Sequence, residues 1–508
     1  MKLNYKRTIL VGFAFFLICA FWQAYDATIP VILTNKFGMN QTWSGVIMAL
    51  DNILAVFMLP VFGALSDRHN GKQGKRTPFI TVGTVIAAIA LIALSFVDSS
   101  QLSNLSEVSQ IDDPAALSVI YDTQADKQLM TPDGQHFMLS EKFTQEEFVA
   151  IRTTDETGNY TNYVAPARQA YAAAATAANP TPLIIFVVLL LAILVAMAVF
   201  RSPAVALMPD VTVKPLRSKA NAVINLMGTA GGILVLVLGM VFSTSAVRNQ
   251  LMDYTTYYLV IAAIMIVSLG IFLMGVKEKE WARQMQEDSV ALGIEEEIEE
   301  IAEKRKLSSG EKRSLILILL SIALWYFGYN AVTSKYAVYA GNILNMDYNT
   351  TLLLAQAAAV VAYLPAGMVA SKIGRKKTII GGVVMLAIAF GAAAFMRTGS
   401  SVLVMDLLFA LAGIGWATIN VNSFPMVVEM CSGSDIGKYT GYYYTASMSA
   451  QIVTPMLSGF LMDRMGMTAL FPYAAIFVAL AIVTMVLVKH GDAKPLAKQG
   501  LDALDVED

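Results

Sequence analysis

Charge is scarce in this chain, and that scarcity excludes more than any motif does. Of 508 residues only 15% are Asp, Glu, Lys or Arg, where soluble domains carry about 25%. The net charge is −2, so no general basic field exists to hold nucleic acid. Cysteine is nearly absent. Cys19 and Cys431 lie far apart, in or beside apolar segments, which leaves no disulfide framework and no thiolate metal cluster. The three histidines, His69, His136 and His490, are scattered. With no metal-ligand spacing, phosphate loop or nucleophile motif, the chain is expected to be no enzyme and to hold no metal or cofactor.

Apolar sequence is what the chain has in excess: 56% of its residues are hydrophobic and the mean hydropathy is +0.58. A helix of about 20 apolar residues crosses the hydrocarbon core of a bilayer. Twelve segments reach that length, near 9–33, 43–64, 78–97, 182–206, 220–243 and 254–275, then 314–339, 350–370, 378–396, 402–428, 440–461 and 469–488. The first is too long for a signal-peptide core and lacks a small-residue cleavage site, so it reads as a retained helix. With the amino terminus inside, 26 of the 36 Lys and Arg fall on the cytoplasmic side; the short outer loops hold only Lys36, Arg248, Arg397 and Arg464. That asymmetry supports the topology. An all-α integral membrane fold follows, with both termini cytoplasmic, and a lipid bilayer is its first partner. Compact helices and short tails suit a bacterial inner membrane. Nothing requires an oligomer.

Two soluble pieces interrupt the pattern. Residues 98–180 hold twelve acidic and four basic residues, and their TPDG turn and EKFTQEEFVAIR run read either as a small, partly helical outer cap or as a poorly ordered acidic loop. Residues 277–312, with EEEIEEIAEKRK, read as a solvated cytoplasmic connector. The remainder repeats. LPVFGALSDR around Gly63 is echoed by LPAGMVASKIGRKKT around Gly367, and the nine-residue spacing of Asp210 and Lys219 recurs in Glu429 and Lys438. The two echoes are offset by 304 and 219 residues, a difference of 85 that nearly equals the 98–180 insertion. The chain therefore divides into a six-helix half at 1–276, the connector, a second six-helix half at 313–490 and a tail at 491–508. Paired halves of this kind form a cleft with a substrate site near the bilayer midplane.

The loop from Gly63 to Arg76 carries Asp67, Arg68, Lys72, Lys75 and Arg76 between two apolar runs. It resembles the helix 2–3 loop of major facilitator superfamily transporters. On that resemblance it is a latch in which Asp67 and Arg68 pair across helix ends; the plainer reading is a basic loop that only sets orientation. A cytoplasmic gate is expected from Gly63, Asp67, Arg68, Lys75, Arg76, Asp210, Arg217, Glu429 and Lys438. The P-x-x-x-L-x-P-x-x-T run of Pro203, Leu207, Pro209 and Thr212 is similar to the glycoside–pentoside–hexuronide:cation symporters. SDRxxxxxGKRTPFI and Ala220-Asn221 resemble the sucrose-transporter branch. The resemblance implies a symporter for a disaccharide or related glucoside. Acids expected for a melibiose-type sodium site are missing: 182–200 contains none, and Arg201 stands where the helix 4 acid would be. A proton is the expected coupling ion.

Charges inside spans mark candidate functional sites. Asp26 follows Trp22, Gln23 and Tyr25 on helix 1, so aromatic and carboxylate can face the cleft together. Asp51 on helix 2 and Arg201 on helix 4 complete an expected proton-coupling set with Asp26. The second half adds Tyr326, Tyr329, Asn330, Gln356, Asn420, Asn422 and Gln451. With Trp22, Gln23, Tyr25, Asp26 and Arg201 they make the expected substrate site, since a sugar offers an apolar ring face and a hydroxyl edge. Lys335 and Asp406 read as snorkelling or surface-paired groups near the outer boundary. A proton-driven exporter of drugs or metabolites, or a lysolipid carrier, is the rival reading.

Overall fold

Polar caps start the helices where the sequence offers them. Asn4, Asn40, Asp113 and Asp347 each accept a backbone N–H of the turn they open, and Thr144 and Ser308 close reciprocal boxes with Glu147 and Glu311. In this computed structural model the described residues are 3–155, 157–213, 216–291, 307–428, 430 and 436–490. The first half is built from α1 (Tyr5–Asn35), α2 (Gln41–Arg68), α3 (Thr77–Asn104), α8 (Thr181–Val211), α9 (Arg217–Val241) and α10 (Thr255–Gly275). Between α3 and α8 lie α4 (Pro114–Gln124), β1 (Leu129–Met130), β2 (His136–Phe137), α5 (Leu139–Lys142), α6 (Gln145–Ala150) and α7 (Ala165–Ala178). After α11 (Glu278–Ala291), the second half comprises α12 (Ser309–Tyr339), α13 (Tyr348–Ile373), α14 (Arg375–Ala393), α15 (Val402–Val428), α16 (Ile436–Met465) and α17 (Leu470–Val486).

Among the described residues ten helices are long and apolar enough to cross a membrane. The other two long ones, α13 and α16, pack inside the same bundle. These helices carry apolar side chains on their outward faces too: Ile89, Phe96, Val188, Val267 and Leu403 are all exposed. That is the pattern of a lipid-facing surface. Each half has its own core, one built around Phe21, Leu190, Phe200 and Tyr257, the other around Trp325, Tyr336, Phe409 and Phe471. Glycine sets a close helix contact within the first half. A Cβ on Gly231 of α9 would lie 2.4 Å from the Phe16 carbonyl oxygen, so α1 and α9 touch backbone to backbone.

Residues 105–178 fold into a cap with a core of Leu105, Leu117, Ile120, Phe137, Phe148 and Tyr160. Arg168, buried beneath it, donates to the carbonyls of Val108 and Ile111; burial pulls its pKa below the ordinary guanidinium value. The cap sits at one end of the bundle and α11 at the other, here termed the cap end and the connector end. Lys36, expected in an outer loop, is instead fully buried at the end of α1. Its ammonium lies 2.6 Å from both oxygens of a fully buried Asp98.

Candidate functional site

Asp26 lies near the middle of α1, yet it is exposed while its neighbours Tyr25 and Ala27 are buried. Water therefore reaches the centre of the bundle. It enters from the connector end, because the two halves are bonded together at the cap end. There Asp463 accepts from the backbone N–H groups of Gln41 and Thr42, Asn342 bonds Asn35, Ser245 bonds Asp347 and the Thr468 N–H meets the Pro132 carbonyl. Deeper in, the Gln356 amide donates to the Gln23 side-chain oxygen at 2.5 Å, a further link between halves.

One wall of this cleft belongs to the first half. Trp22 meets Tyr25 edge to face, with ring centroids 5.3 Å apart, and the Arg201 guanidinium sits 5.9 Å from the Trp22 ring. Asp51, bonded to the Asn52 amide at 2.8 Å, is within electrostatic reach of both Asp26 and Arg201. The facing wall is aromatic. Tyr329 of α12 stacks on Trp416 of α15 with centroids 3.7 Å apart and planes only 4° from parallel, and Tyr326 meets the same indole edge-on at 5.2 Å. Asp26 lies within electrostatic reach of Tyr329, which places the carboxylate near this plate. Asn420 hydrogen-bonds Tyr363 beside it.

A second constellation lies at the connector end, built from the first half and from Glu278 at the start of the connector. Arg76 pairs with Asp67 at 2.5 Å and Asp210 at 2.7 Å, and also donates to the Ser66 hydroxyl. Burial alone would lower the Arg76 pKa, but its bonds and charge contacts with the two carboxylates raise it, so the guanidinium is permanently charged. Glu278, the first residue of α11, accepts from the N–H groups of Lys75, Arg76 and Thr77 and from the Thr77 hydroxyl, at 2.5–2.8 Å. An anion at a helix N-terminus is favoured there by the exposed N–H groups. Gly74 is required beside it: its φ is +122°, and a Cβ would fall 2.2 Å from the Glu278 carboxyl carbon.

The Major Facilitator Superfamily profile matches residues 169–362 and 347–503, and a profile described as MFS/sugar transport protein matches residues 10–104. The chain belongs to the Major Facilitator Superfamily. The MFS-type transporter ppzB of Metarhizium rileyi (strain RCEF 4871) is 30% identical over 142 residues, 28% of this chain and 29% of that one. Its counterpart in Metarhizium majus (strain ARSEF 297) is 31% identical over 134 residues. These matches thus span less than a third of the curated relatives' length. The fold is shared with the inward-open xylose transporter XylE of E. coli, at TM-score 0.60 and 14% identity over 98% of each chain. It is shared as well with a bacterial homologue of the iron transporter ferroportin in its inward-facing state, at TM-score 0.60 and 13% identity over 96% and 99% of the two chains.

Within this superfamily member, Trp22, Gln23, Asp26, Arg201, Tyr326, Tyr329, Gln356 and Asn420 gather around one cleft. Tyr25 packs behind it, buried. The Asn330 amide nitrogen is buried and unbonded, and Gln451 on α16 is half-buried. Asn422 is fully buried and donates to the Thr418 carbonyl one turn back, a bond within its own helix. Lys335 and Asp406 are not surface groups and do not pair. Lys335 is fully buried on the Gln41 carbonyl at 2.7 Å, and Asp406, also buried, accepts from Thr351. The expected Asp67–Arg68 latch gives way to Asp67–Arg76, since Arg68 points into solvent while Arg76 is drawn inward by Asp210 and Ser66. Gly63 faces the Ser202 hydroxyl across the α2–α8 contact, and Lys75 is exposed. Arg217 donates to the Pro209 and Thr212 carbonyls, closing the end of α8. Glu429 and the side chain of Lys438 lie outside the described residues. Sequence reasoning missed Trp416 and Glu278.

Proposed function

We propose that this transporter is a proton-coupled sugar symporter, taking a disaccharide or related glucoside by alternating access, with the cap outside and both termini and the connector in the cytoplasm. The observation that carries the reading is the pairing across the cleft of exposed Asp26 with the stacked Tyr329–Trp416 plate. A parallel aromatic plate suits the apolar face of a sugar ring, and Asp26, Gln23 and Gln356 offer partners to its hydroxyl edge. Asp26 is also the group suited to carry the proton, because the Asp51 carboxylate, itself within reach of Arg201, lies close to it on the same wall. Proton loss there would change the balance among three charges that only the first half supplies. The match to the sugar-transport profile over residues 10–104 covers the helix that carries Asp26. The curated relatives are fungal, which lends nothing to a bacterial inner membrane; the placement proposed is a multi-pass membrane protein.

Uptake of labelled disaccharides into vesicles, with and without an imposed pH gradient, tests the proposal in wild type and Asp26→Asn. Gradient-driven accumulation that the substitution abolishes is the expected result. One feature favours a rival class: two carboxylates face a single guanidinium in the cleft, a balance that suits an organic cation. Expulsion of cationic dyes with no sugar uptake would transfer the assignment to an exporter.

A further inference from the structure

The start of α2 is gripped from both poles of its first peptide units by the opposite half. Lys335 of α12 places its ammonium on the Gln41 carbonyl oxygen at 2.7 Å, and Asp463 of α16 takes the Gln41 and Thr42 N–H groups at 2.8 Å each and the Thr42 hydroxyl at 2.5 Å. Lys335 is fully buried. A buried ammonium is tolerated only while an acceptor holds it, and a carboxylate at a helix N-terminus is held by free N–H groups. Each charge therefore depends on backbone that belongs to the other half. The same crossing is made backbone to backbone: a Cβ on Gly45 would lie 2.0 Å from the Pro455 carbonyl oxygen, and one on Gly459 would lie 2.2 Å from that of Gln41. Within the crossing the Gln41 side-chain oxygen and the Ser44 hydroxyl are buried with no hydrogen-bond partner, so water would satisfy them only on separation.

We propose that Lys335 and Asp463 form the cap-end gate of the transport cycle, binding the first turn of α2 while the cleft is open at the connector end and releasing it when the halves rock apart. The gate holds three kinds of contact at one crossing: an ammonium on a carbonyl, a carboxylate on backbone N–H groups, and glycine packed against backbone. Its release wets one fully buried charge, frees a half-buried carboxylate and exposes two unsatisfied polar atoms together. The inference rests on alternating access but not on the identity of the substrate or the coupling ion, so a failed sugar-uptake assay leaves it standing.

The test uses the full chain with Cys19→Ala and Cys431→Ala, reporting through Ser44→Cys, a buried position within the crossing. A membrane-impermeant maleimide is applied from the cap side, and spin labels on Lys72→Cys and Lys372→Cys, both exposed at the connector end, measure the opposite opening in a parallel sample. Lys335→Met and Asp463→Asn are each expected to raise the labelling rate at position 44 by about fivefold or more, the scale of a typical coupling energy, while the connector-end distance shortens. Lys335→Arg, which keeps the charge, should restore part of the protection. Unchanged labelling would overturn the proposal. So would faster labelling without a shorter connector-end distance, because local unfolding loosens the crossing without closing the other end.

Discussion

Trp416 is the residue on which the character of the cleft turns. Its indole holds Tyr329 face-on and Tyr326 edge-on, so one side chain orders two phenols from a neighbouring helix. Trp416→Ala is expected to weaken substrate binding about three- to tenfold, the scale of one lost aromatic contact, and Trp416→Phe to restore part of it. Equilibrium binding in detergent reads both. Sequence reasoning named Tyr326 and Tyr329 as candidate ligands on helix 7, but it had no way to find Trp416. The residue sits in an apolar run, GIGWA, and its partners lie on another helix more than eighty positions earlier. Asn422 shows the reverse. An amide in an apolar helix looked like a ligand contact, and the helix turned it inward to its own backbone; two positions earlier, Asn420 faces Tyr363. A two-residue step on a helix is a turn of about 200°, which separates the pair.

Helix α3 shows how much of an element is local and how much is not. Its N-terminal residues, Arg76-Thr77-Pro78, offer no side chain that caps it from within. The missing acceptor comes from Glu278, about two hundred positions later, which holds the start of α3 and the loop before it. Glu278→Gln presents an amide to three N–H donors and is expected to cost about 1–3 kcal/mol of stability, seen as a lower Tm of the purified protein, whereas Lys279→Gln next to it leaves Tm unchanged. The local clue was the uncapped start of α3; nothing in the KEKE run at 277–280 distinguishes Glu278 from its charged neighbours. At its other end α3 continues to Asn104, although the sequence suggested a loop from residue 98. A carboxylate normally ends a membrane span, but Asp98 is matched by Lys36, and the helix carries the pair inward rather than stopping. Elsewhere the hydrophobic runs located the long helices well, because an apolar segment of that length has few alternatives to a helix in lipid.

At the scale of the molecule, two echoes in the chain pointed to a duplicated architecture, since their offsets differ by nearly the length of the insertion. The sites where the halves touch were not legible, because those contacts join single polar side chains, glycines and backbone groups hundreds of positions apart, which leave no pattern in composition. The cap reaches across to the second half: Pro132 meets Thr468 and Asn345 meets the Thr153 carbonyl, while Gln250, between α9 and α10, reaches Asn342. The Lys36–Asp98 pair belongs to neither interface. With both side chains wholly buried and flanked by Tyr254, whose ring lies 4.8 Å from the ammonium, it has no route to water. Lys36→Met is expected to cost about 3–5 kcal/mol because it strands a buried carboxylate, while Lys36→Met with Asp98→Leu recovers most of that loss; chemical unfolding of the three proteins compares them. A charge pair of that depth cannot be pulled apart and remade at every turnover. The ends of α1 and α3 must therefore keep their mutual geometry through the whole cycle. They supply a fixed frame of reference inside the first half, against which any displacement of the second half can be surveyed.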